Sequence, residues 1–104
     1  MTDTQLSSIK QKYGFDLYDP LTKTECRELF CKEMRYSQAM YYRHHHKIIK
    51  FRPIGSYANE MERIYFIHAM GIINRIKGVK NPEIPYPADL DEWIVGAKQQ
   101  KDEN

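Results

Sequence analysis

The strongest constraint on the fold of this chain is a run of apolar residues at helical spacing between Asn59 and Lys77. At 100° per residue, most of these side chains fall within an arc of about 180° on one side of a helix: Met61, Tyr65, Phe66, Ala69, Met70, Ile72, Ile73 and Ile76. Ile64 and Ile67 lie outside the arc. So wide an apolar face predicts the central core helix of a domain, over residues 59–77, or a helix that also forms a homodimer interface through residues 60–76.

Three earlier helices are predicted from local signals. Residues 4–13 carry apolar side chains at helical spacing and precede Gly14, which is suited to end a helix. Residues 22–25 read Thr-Lys-Thr-Glu, a capping box, so a second helix should begin at Thr22. Ser37 is a candidate cap for a third helix, which we expect to run to about Phe51 and to stop at the following Arg-Pro pair.

Between Glu33 and Glu60 the chain has no acidic residue. Residues 34–59 carry five cations against no Asp or Glu: Arg35, Arg43, Lys47, Lys50 and Arg52. The formal net charge of the whole chain is only +2, because acidic residues are concentrated elsewhere, notably in residues 81–104. The segment predicts a polyanion or an acidic protein surface as its partner, although charged surfaces also serve simply to keep small proteins soluble.

Placed on the predicted third helix, this segment has two sides. We expect the first side to face the core: Met40, Tyr41, His44, Ile48 and Phe51. The other side forms a basic outer surface with a tyrosine at its edge: Tyr42, Arg43, His46, Lys47 and Lys50.

A capped helix, a turn and a second helix with a basic outer face form the outline of a helix-turn-helix. The runs Glu25-Cys-Arg-Glu-Leu-Phe and Ser37-Gln-Ala-Met-Tyr-Tyr-Arg resemble small helix-turn-helix regulators and excisionase-like proteins of phages and mobile elements. The resemblance covers residues 21–46 and depends on a Ser-x-x-x-x-Tyr-Arg run that opens the recognition helix. The sequence places the turn at residues 31–36, without glycine, and shows no basic β-wing after it.

The resemblance implies a division of roles among the residues of the basic segment. Ser37, Gln38 and Tyr42 would contact base edges, and Arg43 would pair with guanine. The remaining cations would contact phosphates: Arg35, Lys47, Lys50 and Arg52. His46 lies among these cations and would add positive charge as the pH falls.

Metal and catalytic chemistry are not predicted. Three consecutive histidines, His44 to His46, point 100° apart on a helix and cannot converge on one ion. No nucleophile has an assignable base and orienting group, so we predict neither an enzyme nor a cofactor. Cys26 and Cys31 diverge on a helix, which predicts reduced thiols in a cytoplasmic protein. The chain shows no signal segment and no apolar run long enough to cross a membrane.

Together these patterns predict one all-α domain over residues 1–104, with four to five helices. Its parts would be an N-terminal helix and connector (1–21), a helix-turn-helix-like pair (22–52), a core helix (59–77), and a Pro-rich strap with an acidic C-terminal helix (81–104). The predicted function is that of a small DNA-binding protein, a transcriptional regulator or recombination accessory factor acting on duplex DNA. The alternative is a protein-interaction module, such as a phage-type inhibitor or a small subunit of a larger assembly, whose Tyr/Arg-rich face binds an acidic protein surface.

Overall fold

A computed structural model describes residues 1–55 and 61–96 of the chain. The helices are α1 (Asp3–Tyr13), α2 (Lys23–Met34), α3 (Gln38–His44) and α4 (Phe66–Lys77), with 3₁₀ turns at His46–Ile48 and Leu90–Trp93. The strands are β1 (Pro20–Leu21), β2 (Arg52–Pro53) and β3 (Glu62–Tyr65), which form an antiparallel sheet in the order β1-β3-β2. The all-α prediction was therefore wrong, because the chain is mixed α/β.

The sheet takes the place of the first part of the predicted core helix. Asn59 lies outside the described residues, but Glu62–Tyr65 form β3 and the helix begins only at Phe66. Ile64 pairs with Leu21 of β1 and is 0% exposed, whereas its neighbours in the strand are more open. This alternation suits a strand with one buried face. Ile64 is also one of the two isoleucines that did not fit the helical arc.

Local capping interactions begin α2 and α3, and end α1, where the sequence indicates. In α2, Thr22 Oγ1 accepts from the backbone N–H of Glu25 at 3.0 Å, and Glu25 Oε1 accepts from the N–H of Thr22 at 2.9 Å. Ser37 Oγ accepts from the N–H of Met40 at 3.3 Å and caps α3. Gly14 ends α1 with a φ of 84°, which a residue without Cβ adopts without strain. The predicted starts of α2 and α3 and the end of α1 are confirmed.

The prediction that α3 extends to Phe51 was wrong, because α3 ends at His44. The chain beyond it pairs with the C-terminal segment: the N–H of Lys50 donates to Trp93 O at 2.9 Å, and the N–H of Val95 donates to Ile48 O at 2.8 Å. Ile49 is buried at this junction. The β-branched Ile49 has extended backbone, with φ −86° and ψ 126°, and partners far along the chain satisfy the hydrogen bonds on either side of it.

The core is built around α4, whose residues Phe66–Asn74 are all buried within the chain. The Phe66 ring packs against Tyr13 and Phe15 at centroid distances of 5.5 and 5.4 Å. On another side, Gly71 lies against Leu90 and Pro87. The chain's own packing thus covers the apolar face over residues 66–74, whereas Met61 and Ile76 are exposed.

The C-terminal segment crosses α4 as an extended strap followed by a short turn. Residues 81–87 are neither helix nor strand, and Ile84 within them is buried. The predicted acidic helix is only a 3₁₀ turn, Leu90–Trp93, within the described residues, and the predicted terminal residues 97–104 lie outside them. Trp93 is 4% exposed, so its predicted role as an apolar anchor is confirmed. No helix in residues 1–55 and 61–96 has the length and apolar character needed to span a bilayer.

Candidate nucleic-acid interface

A single buried side chain attaches α3 to the rest of the domain. Tyr41 is 1% exposed, and its ring meets Phe30 of α2 edge to face at a centroid distance of 5.4 Å. All the other residues of α3, Gln38–Met40 and Tyr42–His44, are exposed. Surface helices usually bury a whole apolar stripe. α3 instead presents most of its circumference to solvent.

The predicted core-facing side of this segment is only partly correct. Tyr41 is buried, and Ile48 and Phe51 are half-buried, but Met40 and His44 are exposed. The helical register fails after His44 because the backbone leaves the helix there. The exposed basic side does not depend on that register: Arg43, His46, Lys47 and Lys50 all lie at the surface.

A short turn joins α2 to α3. Because α2 continues to Met34, only Arg35, Tyr36 and Ser37 separate the two helices. The prediction that the turn occupies residues 31–36 was therefore wrong, and three residues is a usual length for the turn of a helix-turn-helix. Arg35 has φ 56° and ψ 49° and is the one non-glycine residue with positive φ in residues 1–55 and 61–96.

The turn between α2 and α3 is held by a contact with His45, the residue that follows α3. The Tyr36 hydroxyl hydrogen-bonds to His45 Nδ1 at 2.8 Å, and their rings stack at 5.6 Å. Burial, together with the neighbouring His44, lowers the pKa of His45. His45 is therefore neutral near pH 7 and serves the structure, while His44 and His46 are exposed.

The cations on and around α3 have no acidic partners in the part of the chain that the structure describes. Elsewhere in that part, ion pairs within 4.0 Å join carboxylate oxygens to several cations: Lys10, Lys12, Lys23, Arg52 and Arg75. In contrast, none of the exposed cations on and around α3 forms an ion pair with any residue in 1–55 or 61–96: Arg35, Arg43, Lys47 and Lys50. We call these four residues together with His46 the cationic surface.

Two residues predicted to contact DNA have structural roles. Arg52 lies over the Trp93 ring at 4.6 Å, donates from Nη2 to Glu92 O at 2.6 Å, and is 4.0 Å from the Glu92 carboxylate. Its charge is thus already matched at the C-terminal turn. Ser37 uses its hydroxyl to cap α3. Both side chains thus already have partners within the protein, unlike those of Arg43 and Lys47 among the described residues.

Arg27 adjoins the exposed side of α3, which the sequence did not reveal. Its Nη1 donates to the Tyr42 hydroxyl at 3.3 Å, which connects α2 to the exposed side of α3. This hydrogen bond is the main reason that the pKa of the Arg27 guanidinium is raised, so the group stays charged. The two residues are fifteen positions apart on different helices. Helical periodicity relates residues only within one helix, and no sequence pattern pairs them.

A second polar cluster lies beside Trp93. His68 is 2% exposed, its Nε2 donates to Asp89 Oδ1 at 2.7 Å, and its ring lies 4.8 Å from that of Trp93. The hydrogen bond from His68 lowers the pKa of Asp89. A catalytic His–Asp pair needs a reacting group at the other ring nitrogen, but His68 Nδ1 is buried without a hydrogen-bond partner among the described residues. The cluster instead attaches the C-terminal turn to α4.

Metal ligands are not assembled in the described parts of the chain. Within residues 1–55 and 61–96, no group of three or more His, Cys, Asp or Glu side chains is placed to hold an ion. Cys26 and Cys31 are free thiols.

Comparison of the chain with known protein families, curated proteins and solved structures finds no match. Its function is therefore inferred from the interface itself.

Proposed function

We propose that this protein binds duplex DNA through α3 and the 3₁₀ turn that follows it. The observation that carries the proposal is the isolation of the cationic surface: it surrounds a helix with one buried side chain, and its cations have no acidic partner among the described residues. Unpaired cations on a projecting element favour a partner that supplies many negative charges. A DNA backbone supplies them at regular spacing.

The connectivity around α3 supports DNA as that partner. α2, a three-residue turn and α3 follow one another as in a helix-turn-helix, whose second helix enters the major groove. β2 and β3 then pair as antiparallel strands in the position where a wing follows the helix pair. The major groove is about 12 Å wide and admits one helix. α3 is exposed widely enough to enter it.

The contacts within this proposal differ from those expected from the sequence. Gln38 and Arg43 are the base-reading residues, because neither side chain makes a hydrogen bond within residues 1–55 and 61–96. Arg35, Lys47 and Lys50 contact phosphates. With this surface, the protein would act as a transcriptional regulator or a recombination accessory factor.

A salt titration of binding to a fluorescein-labelled duplex of arbitrary sequence tests the proposal. Each phosphate neutralised contributes about −0.9 to the slope of log K against log salt concentration. Three or four contacts by the unpaired cations predict a slope of roughly −3 to −4. The absence of binding at about 50 mM salt would overturn DNA as the partner.

Charge reversal locates the surface. Arg43→Glu combined with Lys47→Glu should abolish binding, while far-UV circular dichroism stays unchanged because both side chains are exposed. Lys10→Glu combined with Lys12→Glu is the matched control: it changes the net charge equally on α1, where both lysines already have carboxylate partners. Equal losses in the two double variants would show a general charge effect and contradict a defined interface.

An acidic protein surface is the second candidate, favoured by the exposure of Met40 and Tyr42 beside Arg43. Tyrosine and arginine are enriched among the residues that dominate protein interfaces. Two results together would support this candidate. The protein would fail to bind DNA at low salt, and its Tyr42→Ala variant would lose a protein partner that cross-linking identifies for the unchanged protein.

A further inference from the structure

Arg27 and Tyr42 form a polar contact at the crossing of α2 and α3. Tyr42 is 49% exposed, and its ring is positioned by Tyr41 at 5.2 Å and His46 at 5.1 Å. Its hydroxyl oxygen accepts from Arg27 Nη1 at 3.3 Å. The contact therefore lies at the edge of the cationic surface, on side chains whose positions are fixed by packing.

The hydrogen-bonding capacity of this pair is only partly used. A phenol that accepts a hydrogen bond still has its own O–H to donate, and a guanidinium has five N–H donors. Among the described residues, the Tyr42 O–H has no acceptor and Arg27 has no second hydrogen-bond partner. Two neighbouring groups thus present unused donors, one of them charged, at a single place.

No carboxylate of the described chain is paired with these donors. The charge of Glu28, which is adjacent in sequence, contributes to the raised pKa of Arg27, but Glu28 lines a cavity with Tyr13 and Phe15 and forms no ion pair with Arg27 within 4.0 Å. These donors are therefore available to an acceptor from a binding partner. A phosphate oxygen is the acceptor that arginine and hydroxyl donors share most readily.

We propose that Arg27 and Tyr42 together bind one phosphate group of a DNA backbone, with the guanidinium and the phenol donating to neighbouring oxygens. This inference rests on the proposed function and assigns Tyr42 to the backbone instead of to a base edge. It also gives α2 a contact of its own, at the place where the first helix of a helix-turn-helix crosses the backbone.

Two substitutions test the site by equilibrium binding to several duplexes of unrelated sequence. Arg27→Gln removes one phosphate contact and should reduce the magnitude of the salt slope by about 1. Tyr42→Phe keeps the ring and removes the hydroxyl, so it should weaken binding several-fold and by the same factor on every duplex. Because both substitutions disrupt one site, their effects should be less than additive in the double variant.

Matched controls separate this site from nonspecific effects. Lys32→Gln removes one charge from the same helix at a residue that lines the cavity with Glu28, and Tyr18→Phe removes the hydroxyl of an exposed tyrosine that packs on Tyr65. Lys32→Gln should change the salt slope by less than Arg27→Gln, and Tyr18→Phe should bind as the unchanged protein does.

The possible outcomes distinguish this inference from the proposed function. If Arg43→Glu with Lys47→Glu abolishes binding while Arg27→Gln and Tyr42→Phe bind normally, the phosphate site is refuted and the DNA interface stands. If Tyr42→Phe weakens binding to one duplex alone, Tyr42 contacts a base and the inference is also refuted. Should Arg27→Gln fail to fold, Tyr42→Phe decides the question, since it leaves the ring packing intact.

Discussion

Gly71 lies in the middle of α4, and its replacement by alanine measures how closely α4 packs against the C-terminal turn. Helix propensity alone predicts that Gly→Ala in a helix interior stabilises by about 1 kcal/mol. A Cβ at position 71 would lie 3.0 Å from Leu90 Cδ1, 3.2 Å from Leu90 Cδ2 and 3.2 Å from Pro87 Cδ. Favourable carbon–carbon separations are about 3.5–4.0 Å, so the neighbouring atoms must move. Leu90 is buried, and the Pro87 ring is rigid.

Helix propensity and overpacking oppose each other, and their difference sets the expected change in the free energy of unfolding. Overpacking a core by a methyl group costs about 1–3 kcal/mol, which exceeds the gain in helix propensity. Gly71→Ala should therefore lower the free energy of unfolding by about 1 kcal/mol, as the difference between these two terms. Urea denaturation followed by far-UV circular dichroism, with linear extrapolation to water, gives the value.

The same substitution in a Leu90→Ala background provides the control. Leu90→Ala removes two of the three close contacts and should itself cost about 2–5 kcal/mol. In that background Gly71→Ala should raise stability by up to about 1 kcal/mol, which corresponds to a coupling free energy of about 1–2 kcal/mol between the two positions. Stabilisation by a full 1 kcal/mol without the Leu90 substitution would refute the close packing of Leu90 on α4.

Two other predictions follow from burial and charge. Burial raises the pKa of the Cys26 thiol to about 12. Iodoacetamide should therefore label only Cys31 in the native protein, and both cysteines in urea. Mass spectrometry of tryptic peptides measures the labelling, and native labelling of Cys26 would contradict the prediction. Because His68 lowers the pKa of Asp89 from its ordinary value of 3.8, the contribution of Asp89 to stability is present above that pH and is lost as the pH falls through the lowered pKa. Asp89→Asn should therefore reduce the loss of unfolding free energy at acid pH, measured by urea denaturation at a series of pH values. An unchanged pH dependence would count against the interaction between Asp89 and His68.

The starts of the early helices were predictable because their capping partners lie within three residues. The Thr22–Glu25 capping box and the Ser37 cap each join residues that are three positions apart in the chain. Local sequence therefore contains the whole interaction. The Trp93 anchor was predictable for a related reason, since a large aromatic side chain in an otherwise acidic segment has a strong tendency to be buried.

The sheet and the end of α3 were not predictable in this way. Each depends on partners far along the chain: Leu21 with Ile64 in the sheet, and Ile49 with Ile94 beyond α3. A two-residue strand has too few positions to show alternation, and Ile48-Ile49 fits a helical pattern as well as an extended one. Long-range backbone pairing decided between these conformations.

The sequence by itself determined that the positive charge of this protein is concentrated in one acid-free segment, with a helix that begins at Ser37. Only the tertiary structure decided which of those charges are free. It placed Arg52 against Trp93 and Glu92, left Arg43 and Lys47 without acidic partners among the described residues, and brought Arg27 to Tyr42. The physical reason is that the number of charges is a property of composition, whereas their neutralisation depends on distances that only the folded chain sets.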